Sequence, residues 1–193
     1  PPTYIWQRVL ELYERGTAVR PEFKAMLLVE AGYALERNGH REDALDYYQR
    51  AIATAPENPT GYVYKGNTLI GTGDAAGAEH IFEALAKFDP PHVDGYFGLG
   101  AVSEMNTDFG QAERWYLDGV QEAPYRAGQL SARAAYAIWK QDRQQEAEDV
   151  LLREIAAWPK DEAILETAER VAQELLEQNS ERAKSFYDGI FAA

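Results

Sequence analysis

Histidines and a glycine-rich stretch are the first residues of this sequence whose side chains or backbone could support chemistry. His40, His80 and His92 lie far apart and form no i, i+4 pair of the kind that holds a zinc ion on one helix, so ordinary surface histidines are the favoured interpretation. The stretch 70–80 is rich in glycine and precedes a predicted helix, which is one way to bind phosphate. It also contains the turn of a predicted helical hairpin, and we favour that structural role.

Paired carboxylates are the other candidates for chemistry. Glu42-Asp43 and Glu148-Asp149 are neighbours in the chain and diverge on a helix, so we expect solvated helix surface and no general acid–base pair. The motifs of zinc proteases, P-loop nucleotide-binding proteins and serine hydrolases do not occur. The sequence therefore predicts no enzyme: no catalytic residue, no metal site and no cofactor.

The element that organises the chain is a helical hairpin between Ala25 and Asn58. Its first segment has apolar or small residues at the spacing of one helix face: Leu28, Ala31, Gly32 and Leu35. Its second segment has the same spacing: Ala44, Leu45, Tyr48, Ala51 and Ile52. Asn38-Gly39 separates the segments, and Pro56 ends the second one because proline cannot continue a helix.

The hairpin pattern recurs with a nearly constant period. Small residues, an aromatic residue and a proline return at fixed offsets, and the prolines are spaced by 35, 34, 34 and 35 residues: Pro21, Pro56, Pro90, Pro124 and Pro159. Such a period with these marks resembles the tetratricopeptide repeat family. The resemblance covers nearly the whole chain and implies an all-α, right-handed superhelical solenoid of antiparallel helix pairs. It identifies a fold and does not by itself give a function.

The resemblance predicts one solenoid domain over residues 1–193. Its parts are a half repeat or N-terminal cap helix, four full repeats and a variant helix pair: 3–22, then 25–58, 59–92, 93–126 and 127–160, then 161–193. We predict Asp74, Asp108 and Ser180 as helix N-caps, and Glu174 among the outer, hydrophilic residues of a terminal capping pair. Because the chain opens on what matches a second helix, we expect a longer parent protein, with an evolved cap helix as the alternative.

Composition narrows the class of partner. The 193 residues include 32 acidic and 19 basic side chains, a net charge of −13, so nucleic acid and anionic membrane are poor partners. No apolar run is long enough to span a bilayer, so we expect no direct membrane insertion. Cysteine is absent, which leaves cytoplasm and bacterial periplasm both open as compartments.

The resemblance also predicts a binding surface. In tetratricopeptide repeat proteins the first helix of each pair lines the concave face and meets ligands. The residues that follow this row here are the predicted site: Met26, Val29, Tyr33, Val63, Asn67, Ile70, Phe97, Glu104, Met105, Tyr136 and Trp139. The row is unusually apolar for a solvated face, which is typical of a partner-binding groove; burial between tightly curved neighbouring helices is the alternative.

Three functions remain open on the sequence. The favoured one is a non-catalytic scaffold whose groove binds a peptide or helix of a partner protein. The second is an internal structural or docking segment of a larger assembly, such as a bacterial envelope or secretion component. The third is a regulatory domain that belongs to a larger enzyme. A homo-oligomer is compatible with each of them.

Overall fold

The computed structural model describes residues 3–19 and 21–192, and these residues form eleven α-helices joined by short turns. Their bounds are α1 Thr3–Val19, α2 Lys24–Glu36, α3 Arg41–Thr54, α4 Pro59–Thr72, α5 Ala75–Ala86, α6 Val93–Met105, α7 Phe109–Glu122, α8 Ala127–Trp139, α9 Gln144–Ala157, α10 Glu162–Gln178 and α11 Ser180–Ala192. The described residues contain no strand, so the predicted all-α class is confirmed.

The turns inside the helix pairs share one backbone geometry. Gly39 and Gly73 have φ values of 85° and 83°, in the left-handed region where glycine meets no steric penalty. Thr107 and Asp142 occupy the same turn position in the following pairs, with φ values of 57° and 61°. The 34-residue period therefore places a left-handed residue at the end of each first helix, even where the sequence supplies no glycine.

Thr107 gives a test of this geometry. A β-branched residue with positive φ is strained by about 1–2 kcal/mol, so we expect Thr107→Gly to raise the free energy of unfolding by about 0.5–1 kcal/mol after the extra chain entropy of glycine is subtracted. The reciprocal change Gly73→Thr should lower it by about 1–2 kcal/mol. Urea denaturation of both variants measures this, and a Thr107→Gly variant less stable than wild type would contradict the geometry.

Two compact units make up the chain, the first ending at Gly98 and the second beginning at Leu99. In the first unit α2 packs on α3, and α4 packs on both α3 and α5. A side-chain carbon on Gly32 would lie 2.6 Å from the Tyr48 ring, and one on Gly66 would lie 2.5 Å from the Phe82 ring. The glycines therefore let each aromatic ring approach the opposite helix backbone.

In the second unit α8 is the central helix, in contact with α7, α9 and α10. Gly100 faces the Tyr116 ring as Gly32 faces Tyr48. The fourth pair replaces this arrangement with aliphatic packing, since Ala134, Ala135 and Leu151 are buried there without a glycine or an aromatic ring at these positions. The predicted weakening of the repeat signature thus corresponds to a different way of filling the same interior.

Helix capping follows the sequence at two of the three predicted positions. The carboxylate of Asp74 accepts a hydrogen bond from the Gly77 amide at 2.9 Å, and that of Asp108 accepts one from the Gln111 amide at 2.9 Å. The prediction of Ser180 as the cap of the last helix is wrong. Asn179 accepts the hydrogen bond from the Arg182 amide at 3.0 Å, so the cap lies one residue earlier.

One of the two acidic pairs also differs from the prediction of solvated surface. Glu42 and Asp43 are exposed as expected. Glu148 is buried against α11, where its Oε1 lies 2.9 Å from Nη2 of Arg182. Burial raises the pKa of Glu148 above its usual value, and the Arg182 charge opposes that shift. Glu148 therefore contributes to the docking of the last helix onto α9.

Candidate binding surface

The first unit has an open cleft on the row predicted from the sequence. The cleft has a volume of ≈ 300 Å³ and lies between α2 and α4. Its lining is Ala25, Met26, Val29, Glu30, Ala51, Asn58, Thr60, Gly61 and Tyr64. Met26 is 54% exposed at this cleft, a large solvent contact for an apolar side chain. The cleft is mainly apolar with a carboxylate and a few hydroxyl and amide groups at its rim, which is the composition of peptide-binding sites.

Tyr64 is a residue of this cleft that the sequence reasoning missed. Its ring lies 5.8 Å from the Tyr33 ring at an angle of 73°, and 5.6 Å from the Tyr48 ring. Tyr48 is fully buried and Tyr33 is 42% exposed, so the three rings lead from the interior to the surface beside the cleft. The signal was present in the sequence, because Tyr64 directly follows the predicted row residue Val63.

Of the remaining predicted residues of the first unit, Val63, Asn67 and Ile70 lie on α4 and Phe97 lies on α6. Asn67 is exposed, and its side-chain amide makes no hydrogen bond within the described part of the chain. Val63, Ile70 and Phe97 are each partly buried. The carbonyl and amino groups of Asn67 are therefore available to a ligand that approaches α4 from solvent.

Val29 was predicted to lie on the exposed binding surface of the first unit, but it is buried. It is only 5% exposed and belongs to the core cluster with Leu28, Leu35 and Tyr48. The neighbouring helix α4 packs against α2 and covers most of the Val29 side chain. Val29 forms part of the cleft floor, not a free anchor.

The second unit places Glu104 inside a polar network. Both carboxylate oxygens of Glu104 accept hydrogen bonds from Nη2 of Arg133 at 3.0 Å, and Oε1 also accepts one from the Tyr116 hydroxyl at 2.8 Å. The Glu104 side chain is 11% exposed, so its acceptors are largely used within the protein. Burial raises the pKa of the Tyr116 hydroxyl above its usual range, which keeps it protonated as the donor. Met105, the next residue, is 40% exposed.

Tyr136 and Trp139 correct the prediction of an open groove in this unit, since each is 3% exposed. The reason is the packing of α10 over α8. Glu174 of α10 accepts hydrogen bonds from the Tyr136 hydroxyl at 3.0 Å, from the Trp139 indole at 3.0 Å and from Lys140 at 3.1 Å. Arg170, one turn earlier, lies 3.7 Å from the centre of the Tyr136 ring.

Glu174 therefore faces α8, and its assignment to the outer surface is wrong. Partial burial alone would raise its pKa, but the three hydrogen bonds and the Lys140 charge outweigh burial and hold the pKa below its usual 4.5. A carboxylate whose pKa is lowered by folding stabilises the folded state at pH values above the usual pKa of the group. That contribution is lost as the pH falls through the lowered value.

We expect Glu174→Gln to lower the free energy of unfolding by about 1–3 kcal/mol at pH 7, because the neutral amide cannot accept from all three donors. The deficit should shrink as the pH falls from 4.5 through the lowered pKa, because wild-type Glu174 becomes protonated over that interval. Urea denaturation at pH 7 and at a series of pH values below 4.5 checks this, with Glu177→Gln as an exposed control on the same helix. A deficit that does not change with pH would contradict the assigned role.

Two negative observations concern the described residues only. No helix among them is both long enough and apolar enough to cross a membrane. No group of three or more histidine, aspartate or glutamate side chains in that part of the chain is arranged to hold a metal ion.

The architecture defines a class, namely proteins built from consecutive antiparallel helix pairs, with a glycine–aromatic contact inside three successive pairs. The sequence profile described as tetratricopeptide repeat matches residues 10–59, 29–91 and 64–127, which together cover more than half of the chain. The chain belongs to the tetratricopeptide repeat family. Proteins of this fold are generally scaffolds for protein interaction and not catalysts.

Solved structures with the same fold are diverse in sequence. A tetratricopeptide repeat protein from Parabacteroides merdae has a TM-score of 0.73 at 18% identity, over 94% of this chain and 71% of that one. TTC0263, a thermophilic protein of Thermus thermophilus, has a TM-score of 0.66 at 18% identity, over 87% and 90%. YrrB, described as having an unusual peptide-binding site, has a TM-score of 0.60 at 15% identity, over 93% and 91%. No curated protein sequence matches the chain.

Proposed function

We propose that this protein is a non-catalytic scaffold that binds a short apolar peptide or an amphipathic helix of a partner protein in the cleft between α2 and α4. The observation that carries the proposal is the open cleft of ≈ 300 Å³ with Met26 half exposed at its rim and Tyr64 in its wall. Methionine adapts its shape to different apolar surfaces, and aromatic side chains dominate the binding energy of many interfaces.

Asn67 lies three residues beyond the cleft residue Tyr64 on α4, and we assign to it a polar contact at the end of this apolar site. Its amide lies on the exposed side of α4 with no protein partner in the described residues, so it can donate to and accept from a peptide backbone at once. The peptide-binding site reported for YrrB supports the proposal at the level of the fold. The first unit therefore supplies both apolar anchors and a group that orients a main chain.

The proposed binding site contains fewer residues than the first-helix row that the sequence predicts. Glu104, Tyr136 and Trp139 serve internal packing and hydrogen bonding in the second unit, so we assign ligand contact chiefly to the first unit. A protein or peptide partner also suits the net charge of −13, which disfavours nucleic acid and anionic lipid. If a second copy of the chain bound in the same cleft, it would compete with the peptide for that site.

A displayed library of random peptides tests the proposal. We expect selection on the full chain to yield peptides with apolar anchors, and we expect the double substitution Met26→Ala with Asn67→Ala to weaken a selected peptide by about tenfold or more, because Met26 lines the cleft. Leu117→Ala is the matched control, because Leu117 is 41% exposed on α7, outside the cleft. Unchanged affinity in a folded double variant would reject the cleft as the binding site.

A further inference from the structure

Trp158 is a residue at which the fourth helix pair departs from the others. It ends α9 with a φ of −135°, close to the −141° of Ala55 after α3 and the −132° of Ala123 after α7. Ala123 at this position is completely buried, whereas Trp158 is 60% exposed. The backbone position therefore needs only a small side chain, and most of the indole surface is free to contact a ligand.

A groove of ≈ 430 Å³ runs beside this indole within the second unit. Tyr125, 73% exposed, also lines the groove, and Ile164 contributes a fully buried apolar side chain to it. Gly128 lets one edge of the indole lie against α8, because a side-chain carbon there would lie 2.9 Å from Cδ1 of Trp158. The groove thus has two exposed aromatic rings in its lining, and one of them rests on a helix position that has no side chain.

The side-chain oxygens of Gln129 and Asp161 in this groove are already engaged. Oε1 of Gln129 accepts a hydrogen bond from Nε of Arg126 at 2.9 Å, and Oδ2 of Asp161 accepts one from Nε2 of Gln129 at 2.9 Å. Oδ1 of Asp161 accepts the backbone amides of Ala163 and Ile164 at 3.0 and 3.2 Å. These oxygens cap α10 and tie it to α8, so they offer little to an incoming donor.

The two aromatic donors of the groove, by contrast, are unpaired in the described part of the protein. Neither the indole N–H of Trp158 nor the hydroxyl of Tyr125 makes a hydrogen bond to the described part of the protein. The charged side chains that line the groove balance one another: Arg126, Arg153, Glu154 and Asp161. The groove therefore favours a ligand that is neutral, rich in hydrogen-bond acceptors and poor in donors.

We propose that this groove binds a proline-rich peptide segment of a partner protein in the polyproline II conformation. Proline rings pack well on tyrosine and tryptophan, proline has no N–H to satisfy, and its carbonyl groups point outward as acceptors. The Trp158 indole N–H and the Tyr125 hydroxyl supply the matching donors. The site is separate from the cleft between α2 and α4 and does not depend on it.

Titration of the full chain with a decaproline peptide, acetylated and amidated at its ends, tests the proposal by calorimetry. We expect saturable binding that a capped glycine–serine peptide of the same length does not show. Trp158→Ala should weaken binding by about tenfold or more, and Trp158→Phe by less, because phenylalanine keeps an aromatic face and loses only the donor. Leu117→Ala, exposed on α7 and outside the groove, should bind as wild type does.

Several results would overturn the proposal. One is the absence of saturable heat with decaproline, and another is equal binding of the glycine–serine peptide. A third is wild-type affinity in Trp158→Ala. Binding of a neutral oligosaccharide by the same residues without binding of decaproline would assign the groove to a different ligand class. Because Trp158 is largely exposed, its variants should keep the wild-type urea midpoint, which separates lost binding from lost folding.

Discussion

Tyr48→Ala should lower the free energy of unfolding by about 3–5 kcal/mol. The Tyr48 side chain is completely buried, and its ring fills the space that Gly32 leaves between α2 and α3. Its hydroxyl also donates a hydrogen bond to Glu36 at 2.9 Å. Truncation removes the ring contacts and leaves a cavity at the centre of the first helix pair, and neighbouring helices cannot collapse fully into such a cavity.

Tyr48→Phe separates the two contributions. It keeps the ring and removes only the hydroxyl, so we expect a loss of about 0.5–1.5 kcal/mol. Urea denaturation followed by circular dichroism measures both variants. A loss of less than about 1 kcal/mol for Tyr48→Ala would show that the ring does not support this pair in the way its burial indicates.

Gly66→Leu is the second change with a large expected effect, a loss of about 1–3 kcal/mol or more. A first side-chain carbon on Gly66 would already lie 2.5 Å from the tip of the Phe82 ring, well inside van der Waals contact. Phe82 is 1% exposed, and its ring also lies against Gly98, so it is enclosed on two sides. The leucine must therefore push α4 and α5 apart.

Gly71→Leu provides a control on the same helix. Gly71 is exposed, and a side-chain carbon there would meet nothing within 4 Å. Because leucine favours helix more than glycine does, we expect Gly71→Leu to be neutral or to stabilise the protein by up to about 1 kcal/mol. Equal destabilisation by the two substitutions would mean that the close approach at Gly66 is not the cause.

The helix pairs could be predicted from the sequence because their signals are local and repeated. The predicted repeats 59–92, 93–126 and 127–160 each contain one complete helix pair, and the pair in repeat 25–58 begins one residue earlier, at Lys24. The constant offset of Gly32, Gly66 and Gly100 from Tyr48, Phe82 and Tyr116 was visible in the sequence, but the contact of each ring with the glycine of its own pair is seen only in the structure. A period that returns several times overrides the ambiguity of any single segment.

The candidate site was less predictable because its contacts join residues about one repeat apart. The burial of Tyr136 and Trp139 depends on Glu174, which is 38 and 35 residues away on another helix. The extra residue in the fourth repeat blurs the register that would have paired these side chains. The sequence pattern indicated which face of α8 carries Tyr136 and Trp139. It did not indicate that α10 packs on that face and buries them.

Trp158 shows what a comparison of repeats can still reveal. Its place corresponds to Ala55 and Ala123, so an aromatic residue at this position was visible in the sequence as an exception. The site predicted from the sequence contains only residues of first helices, so it does not include the ends of the second helices. Only the structure shows that Trp158 remains exposed and that Tyr125 lines the same groove.

Site-specific photo-crosslinking from the cleft between α2 and α4 tests the central claim most directly. A benzoylphenylalanine residue in place of Met26 would lie at the cleft rim, and the same residue in place of Leu117 would lie on exposed α7 outside it. With a peptide selected on the wild-type chain, the account predicts an adduct from position 26 that Asn67→Ala diminishes, and none from position 117. Equal adducts from both positions, or an adduct from position 117 alone, would contradict the assignment of ligand binding to this cleft.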